Sequence, residues 1–125
     1  MFPPFIHVSI YLFGIHVSIY VSHFVADLAK SFQEEPQDLS VHLGDTAVFR
    51  CSIEGLPKPT VRWRKDERSV EIDNVSYLLH EDGTLEIKSV QFSDFGRYTC
   101  EAENVERSRT SRTATLSQNS DVSKY

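Results

Sequence analysis

Asp94-Phe95-Gly96-Arg97-Tyr98-Thr99-Cys100 is the stretch from which the fold of this chain is read. Asp94 and Gly96 mark a turn, and behind it Tyr98 and Cys100 point to one face of a strand while Arg97 and Thr99 point to the other. The same two-residue period runs through Ala47, Phe49, Cys51 and Ile53, through Val61 and Trp63, through Leu85 and Ile87, and through Ala114 and Leu116. Gly44-Asp45, Gly55-Leu56-Pro57-Lys58-Pro59 and Glu81-Asp82-Gly83 separate these runs with turn residues. Short strands at this spacing imply an all-β fold of two sheets packed over one core. Cys51, Trp63, Leu85, Tyr98 and Cys100 are its expected inward residues.

The bulk numbers agree with one globular domain: 125 residues, 40% hydrophobic and 25% charged. A net charge of -5 argues against a nucleic-acid partner, which calls for a basic face. Two cysteines in a short chain are compatible with free thiols or with a bridge. No catalytic or cofactor constellation is present. His42 and His80 have no cysteine or histidine at metal-ligand spacing, no glycine-rich phosphate loop occurs, and Glu34-Glu35 and Glu81-Asp82 lie in connecting segments. The chain reads as a non-enzymatic binding module without metal or cofactor.

Residues 1–31 differ in character, and within them Asp27 to Ser31 read as a linker into the domain. Residues 5–26 carry no Lys, Arg, Asp or Glu, a length close to the roughly 20 apolar residues that span a bilayer. Met1-Phe2-Pro3-Pro4 lacks the cation of a secretion leader, Phe24-Val25-Ala26 is a poor cleavage site, and an anchor must accommodate His7, His16 and His23. Ile6-His7-Val8-Ser9-Ile10-Tyr11 recurs as Ile15-His16-Val17-Ser18-Ile19-Tyr20, with shorter words repeating every four residues. A tetranucleotide repeat read in frame produces that period. Translated simple-sequence DNA, a membrane-targeting segment and a β-strand of alternating apolar residues stand as the three readings. On the first, the domain is a fragment of a larger protein.

Gly55-x-Pro57-x-Pro59-x-Val61-x-Trp63, Gly83-x-Leu85-x-Ile87 and the Asp94–Cys100 run together resemble the intermediate (I) set of immunoglobulin domains over residues 32–118. Phe32 to Asp38, Gly44 to Ala47 and Lys65-Asp66 resemble Roundabout-type Slit receptors. Leu56 to Pro59 and Leu78-Leu79 are as similar to the DCC, neogenin and protogenin group, and sidekick-like and contactin-like molecules share the pattern. The resemblance implies a Greek-key sandwich, a Cys51–Cys100 disulfide beside Trp63, and a tyrosine corner built from Asp94, Gly96 and Tyr98. An oxidising compartment follows from the bridge. Two departures stand out. Ser76 replaces an arginine that in many relatives pairs with the aspartate matching Asp94, and Arg107 replaces a turn glycine, which puts the phase of the last strand in question.

What the resemblance implies for function is an extracellular recognition module of a cell-surface receptor, used in axon guidance or adhesion and binding a protein ligand. The alternative is a structural spacer in a tandem array, extracellular or intracellular. Any link to a membrane runs through a missing part of the parent chain or through residues 1–31, and residues 119–125 read as a polar tail. Asn74-Val75-Ser76 is an N-glycosylation acceptor triplet. Strand parity turns Arg62, Arg64 and Arg97 outward on one sheet, with Arg109 joining them if the last strand is regular. Such a face suits sulfate or carboxylate groups, as in heparan sulfate or an acidic protein, although Glu101 and Glu103 share it and a solvated mixed face is the plainer reading.

Overall fold

The computed structural model describes residues 5–22 and 25–120. The proline-containing start, His23, Phe24 and residues 121–125 of the polar tail lie outside them. Among the described residues thirteen strands and one 3-10 turn follow in order: β1 (Phe5–Leu12), β2 (Ile15–Ser22), β3 (Asp27–Leu28), β4 (Leu39–Val41), β5 (Ala47–Phe49), β6 (Gly55–Leu56), β7 (Thr60–Lys65), β8 (Arg68–Ser69), β9 (Tyr77–Leu79), β10 (Leu85–Ile87), the turn Phe92–Asp94, β11 (Gly96–Glu103), β12 (Ser108–Thr110) and β13 (Ala114–Gln118).

Two sheets form the body. One has the order β5-β10-β9, the other β4-β13-β11-β7-β8 with β12 also on β11. Their inner faces meet over Ala47, Phe49, Cys51, Trp63, Leu85, Ile87, Val90, Tyr98, Cys100, Ala114 and Leu116, all buried. All but Val90 are the alternating positions of the sequence, so the two-residue period is burial of one face per strand. The chain is therefore an immunoglobulin-like sandwich, with Cys51 and Cys100 bridged across the sheets at a Cα separation of 6.5 Å.

β1 and β2 form a separate antiparallel hairpin, paired residue for residue from Phe5–Ser22 to Leu12–Ile15. Phe13 and Gly14 both have positive φ, 49° and 77°, the combination that a two-residue hairpin turn requires. The alternating residues of the repeat are thus paired as two strands. No helix among the described residues is long and apolar enough to cross a membrane.

The body begins earlier than residue 32. Residues 27–31, expected to be a linker, instead pair β3 with β6 and bury Leu28 to 2% exposure beside Ile53 and Ala102. Ala29 N–H also donates to the Glu54 carbonyl at 2.9 Å. The correction has a physical origin: a two-residue strand carries too short a period to be seen, and Leu28 is recognisable as core only once its partners are known. At the other end the Asn119 N–H donates to the Val41 carbonyl at 2.8 Å. We expect a chain starting at residue 32 to be destabilised by at least the roughly 1.5–3 kcal/mol of a buried leucine side chain relative to one starting at residue 25. Equal urea midpoints for the two would contradict the assignment.

Candidate functional site

The core marks are held by specific bonds. Trp63 lies opposite Cys100 on the neighbouring strand, and its indole N–H donates to the Gly83 carbonyl at 2.9 Å. Phe49 stacks on Tyr98 with ring centres 4.9 Å apart. The Tyr98 hydroxyl donates to the Asp94 carbonyl at 2.6 Å, which closes the tyrosine corner. With Ser76 where the resemblance leads one to expect an arginine, the Asp94 carboxylate is engaged otherwise. It accepts from the Gln91 N–H at 2.8 Å and from the Tyr77 hydroxyl. Burial and that carboxylate push the Tyr77 phenol up to about 12, and burial raises the Tyr98 phenol too. A Cβ at Gly96 would sit 2.7 Å from an Asp66 carboxylate oxygen, so a side chain there would displace that carboxylate.

The surface with recognition chemistry is the outer face of β7 and β11. Their register sets Arg62 opposite Glu101, Arg64 opposite Thr99 and Thr60 opposite Glu103. Because Trp63, Tyr98 and Cys100 point into the core, Arg62, Arg64, Arg97, Thr99, Glu101 and Glu103 point out. A groove of about 750 Å³ runs across this face. Arg64 and Arg97 line it together with Asp66, Glu67 and Glu101, and threonines supply much of the rest. Arg64 is already paired, its guanidinium 3.5 Å from Glu101. Asp66 accepts from the Arg97 backbone N–H at 3.0 Å, which holds its carboxyl below the ordinary range. Arg62 and Arg97 enter no ion pair among the described residues.

Arg109 does not join this face. Thr110 lies opposite Glu101 and Ala114 opposite Tyr98, so Ser111, Arg112 and Thr113 face only Thr99 and Cys100. That extra residue is a β-bulge, and it reverses the parity of β12 relative to β13. Arg109 accordingly stands opposite inward-facing Ala102, and its Nε donates to the Ala29 carbonyl at 2.6 Å. The condition attached to Arg109, a regular last strand, is not met. Ser111 anchors the bulge, receiving the Cys100 N–H on its hydroxyl and giving its own N–H to the Cys100 carbonyl, both at 2.9 Å.

Asn104 has a role that sequence reasoning missed. Its carboxamide donates to the carbonyls of Asp27 at 2.6 Å, Leu56 at 3.3 Å and Pro57 at 3.2 Å, tying three segments at one pole of the sandwich. Its partners lie 47 to 77 residues away, so no local pattern points to it. Asn74 lies in the exposed segment before β9. Among the described residues no group of three or more His, Cys, Asp or Glu side chains is placed to hold a metal ion.

Residues 30–117 match the immunoglobulin I-set domain family. Over 89 residues the chain is 43% identical to Roundabout homolog 1 of Mus musculus, covering 70% of this chain and 5% of that protein. It is 40% identical to protein sax-3 of Caenorhabditis elegans over 95 residues, covering 74% of this chain and 8% of the relative. Among solved structures it resembles titin domain M7, with 32% identity and a TM-score of 0.65 over 72% of this chain and 93% of that domain. The chain thus spans a small fraction of the curated relatives and nearly the whole of a single solved domain.

Proposed function

The chain belongs to the immunoglobulin I-set family, and from that premise we propose that it is an extracellular recognition domain of a cell-surface guidance or adhesion receptor. It binds a protein ligand and catalyses nothing. The observation that carries this reading is the likeness to Roundabout homolog 1 and sax-3 over essentially the whole sandwich. The proposed contact surface is the outer face of β7 and β11, because its arginines, carboxylates and threonines form a dense mixed set on a regular scaffold. A mixed face favours a protein with complementary charges of both signs over a uniform polyanion.

Heparan sulfate is the second candidate ligand. Arg62 and Arg97 favour it, as guanidinium groups without ion-pair partners among the described residues, while Glu101, Glu103, Asp66 and Glu67 oppose it on the same side. We expect Arg62→Glu with Arg64→Glu to weaken protein-ligand binding by roughly tenfold or more through like-charge contacts, with the thermal midpoint little changed. Retention on heparin at physiological salt decides between the ligands. Strong retention lost in the double variant favours the polysaccharide, and weak retention unaffected by it favours protein. The spacer reading draws on titin domain M7. It predicts no partner for the isolated sandwich and no effect of the same double variant on any binding measurement.

A further inference from the structure

Asn74, Val75 and Ser76 are all exposed, and the backbone around them is satisfied from within. One oxygen of Asp73 accepts from the N–H groups of Val75 at 2.9 Å, Ser76 at 2.8 Å and Tyr77 at 2.9 Å. The Asn74 N–H donates to the Tyr77 carbonyl at 3.0 Å. The Asn74 carboxamide and the Ser76 hydroxyl, the two side-chain groups that define the acceptor triplet, make no hydrogen bond among the described residues. Asn74 has φ of 59°, a conformation asparagine tolerates better than most residues, and that alone accounts for an asparagine here. It does not account for Ser76, two residues on, with its hydroxyl unused.

The place of the triplet is as informative as its exposure. β9 ends one sheet and β8 ends the other. A shallow groove of about 380 Å³ passes from Arg68 and Ser69 to Asp73 and Tyr77, so both strand edges lie on the same flank. The alternation that pairs β9 with β10 turns the backbone groups of Tyr77 and Leu79 away from β10. Those of Tyr77 are taken up by Asp73 and Asn74. The backbone groups of Leu79 are left facing outward, and the residue is 37% exposed. Open edges of this kind invite pairing with another chain.

We propose that Asn74 is N-glycosylated, and that the glycan covers the flank where β8 and β9 end their sheets, leaving the outer face of β7 and β11 as the surface open to a partner. This rests on the extracellular reading. The donor is a lipid-linked oligosaccharide diphosphate. The Asn74 Nδ2 forms a bond to the sugar C1, the C1–O bond to the diphosphate breaks, and the lipid diphosphate leaves with the electron pair. One Nδ2 proton passes to a base of the transferase. Nothing in the fold must be undone to hold the product, since the carboxamide is already in solvent.

The test is expression of the full chain behind a cleavable secretion leader in eukaryotic cells, alongside Ser76→Ala, Ser76→Thr and Asn74→Gly. Wild type and Ser76→Thr are expected to carry extra mass that peptide N-glycosidase removes, and Ser76→Ala and Asn74→Gly to lose it entirely. Glycine keeps the left-handed turn, so the last variant separates the sugar from backbone strain. In sedimentation, both unglycosylated variants are expected to self-associate at concentrations where wild type is monomeric. A bridged chain with bare Asn74 overturns the proposal and leaves the extracellular reading standing, whereas a bare Asn74 with reduced cysteines overturns both. Glycosylated wild type with equally monomeric variants removes the shielding role.

Discussion

Replacing both cysteines, Cys51→Ala with Cys100→Ala, is expected to lower the unfolding free energy by about 4 kcal/mol. The bridge joins residues 49 apart in sequence, and closing a loop of that length removes roughly this much from the unfolded chain's entropy. Both residues are almost completely buried in the core, at 1% and 0% exposure, so the alanines add a loss of packing. A domain of this size has about 5–15 kcal/mol in total. The double variant should therefore be marginal or unfolded at 37 °C, and reduction of wild type should act in the same direction. Urea unfolding followed by Trp63 fluorescence reads the effect. A midpoint unchanged by reductant in the fully reduced protein would show that packing alone holds the two sheets together.

Gly83→Ala is expected to be nearly as damaging, at about 3 kcal/mol or more, although the side chain added is one methyl group. Gly83 has φ of +95°, which an alanine adopts only under strain of roughly 1–3 kcal/mol. Its new Cβ would also overlap the backbone carbonyl oxygen of Cys51, a buried residue bridged to Cys100. Overpacking of this kind costs a further 1–3 kcal/mol or so. The Gly83 carbonyl receives the Trp63 indole N–H, so displacement of the turn carries into the centre of the core. Asp82 reinforces the same turn by accepting the Thr84 N–H at 2.9 Å, which holds its carboxyl below the ordinary range. Urea unfolding again provides the measurement, and a loss under about 1 kcal/mol would mean that the turn relaxes where the geometry says it cannot.

The sandwich itself was legible in the chain because its information is local. Alternation in strands of three to eight residues tells which side of each strand is apolar, and Cys51, Trp63, Tyr98 and Cys100 fall on that side at every step. The outward placement of Arg62, Arg64 and Arg97 followed by the same parity. What parity cannot carry is a register shift. One extra residue between Thr110 and Ala114 turns Arg109 from the outer face to the inner one, and only the pairing of β12 and β13 with β11 reveals it. Leu28 and Asn104 escaped for a related reason. A two-residue strand has no period, and a carboxamide that joins carbonyls far away in sequence leaves no trace near itself. The sequence by itself determined the two-sheet fold and the inward face of each strand, since both depend on the order of residues within a strand, and the bridge came with the resemblance to the I set. The start of the body, the composition of the outer face and the flank on which Asn74 lies were decided by tertiary structure, because each depends on which strands meet and in what register.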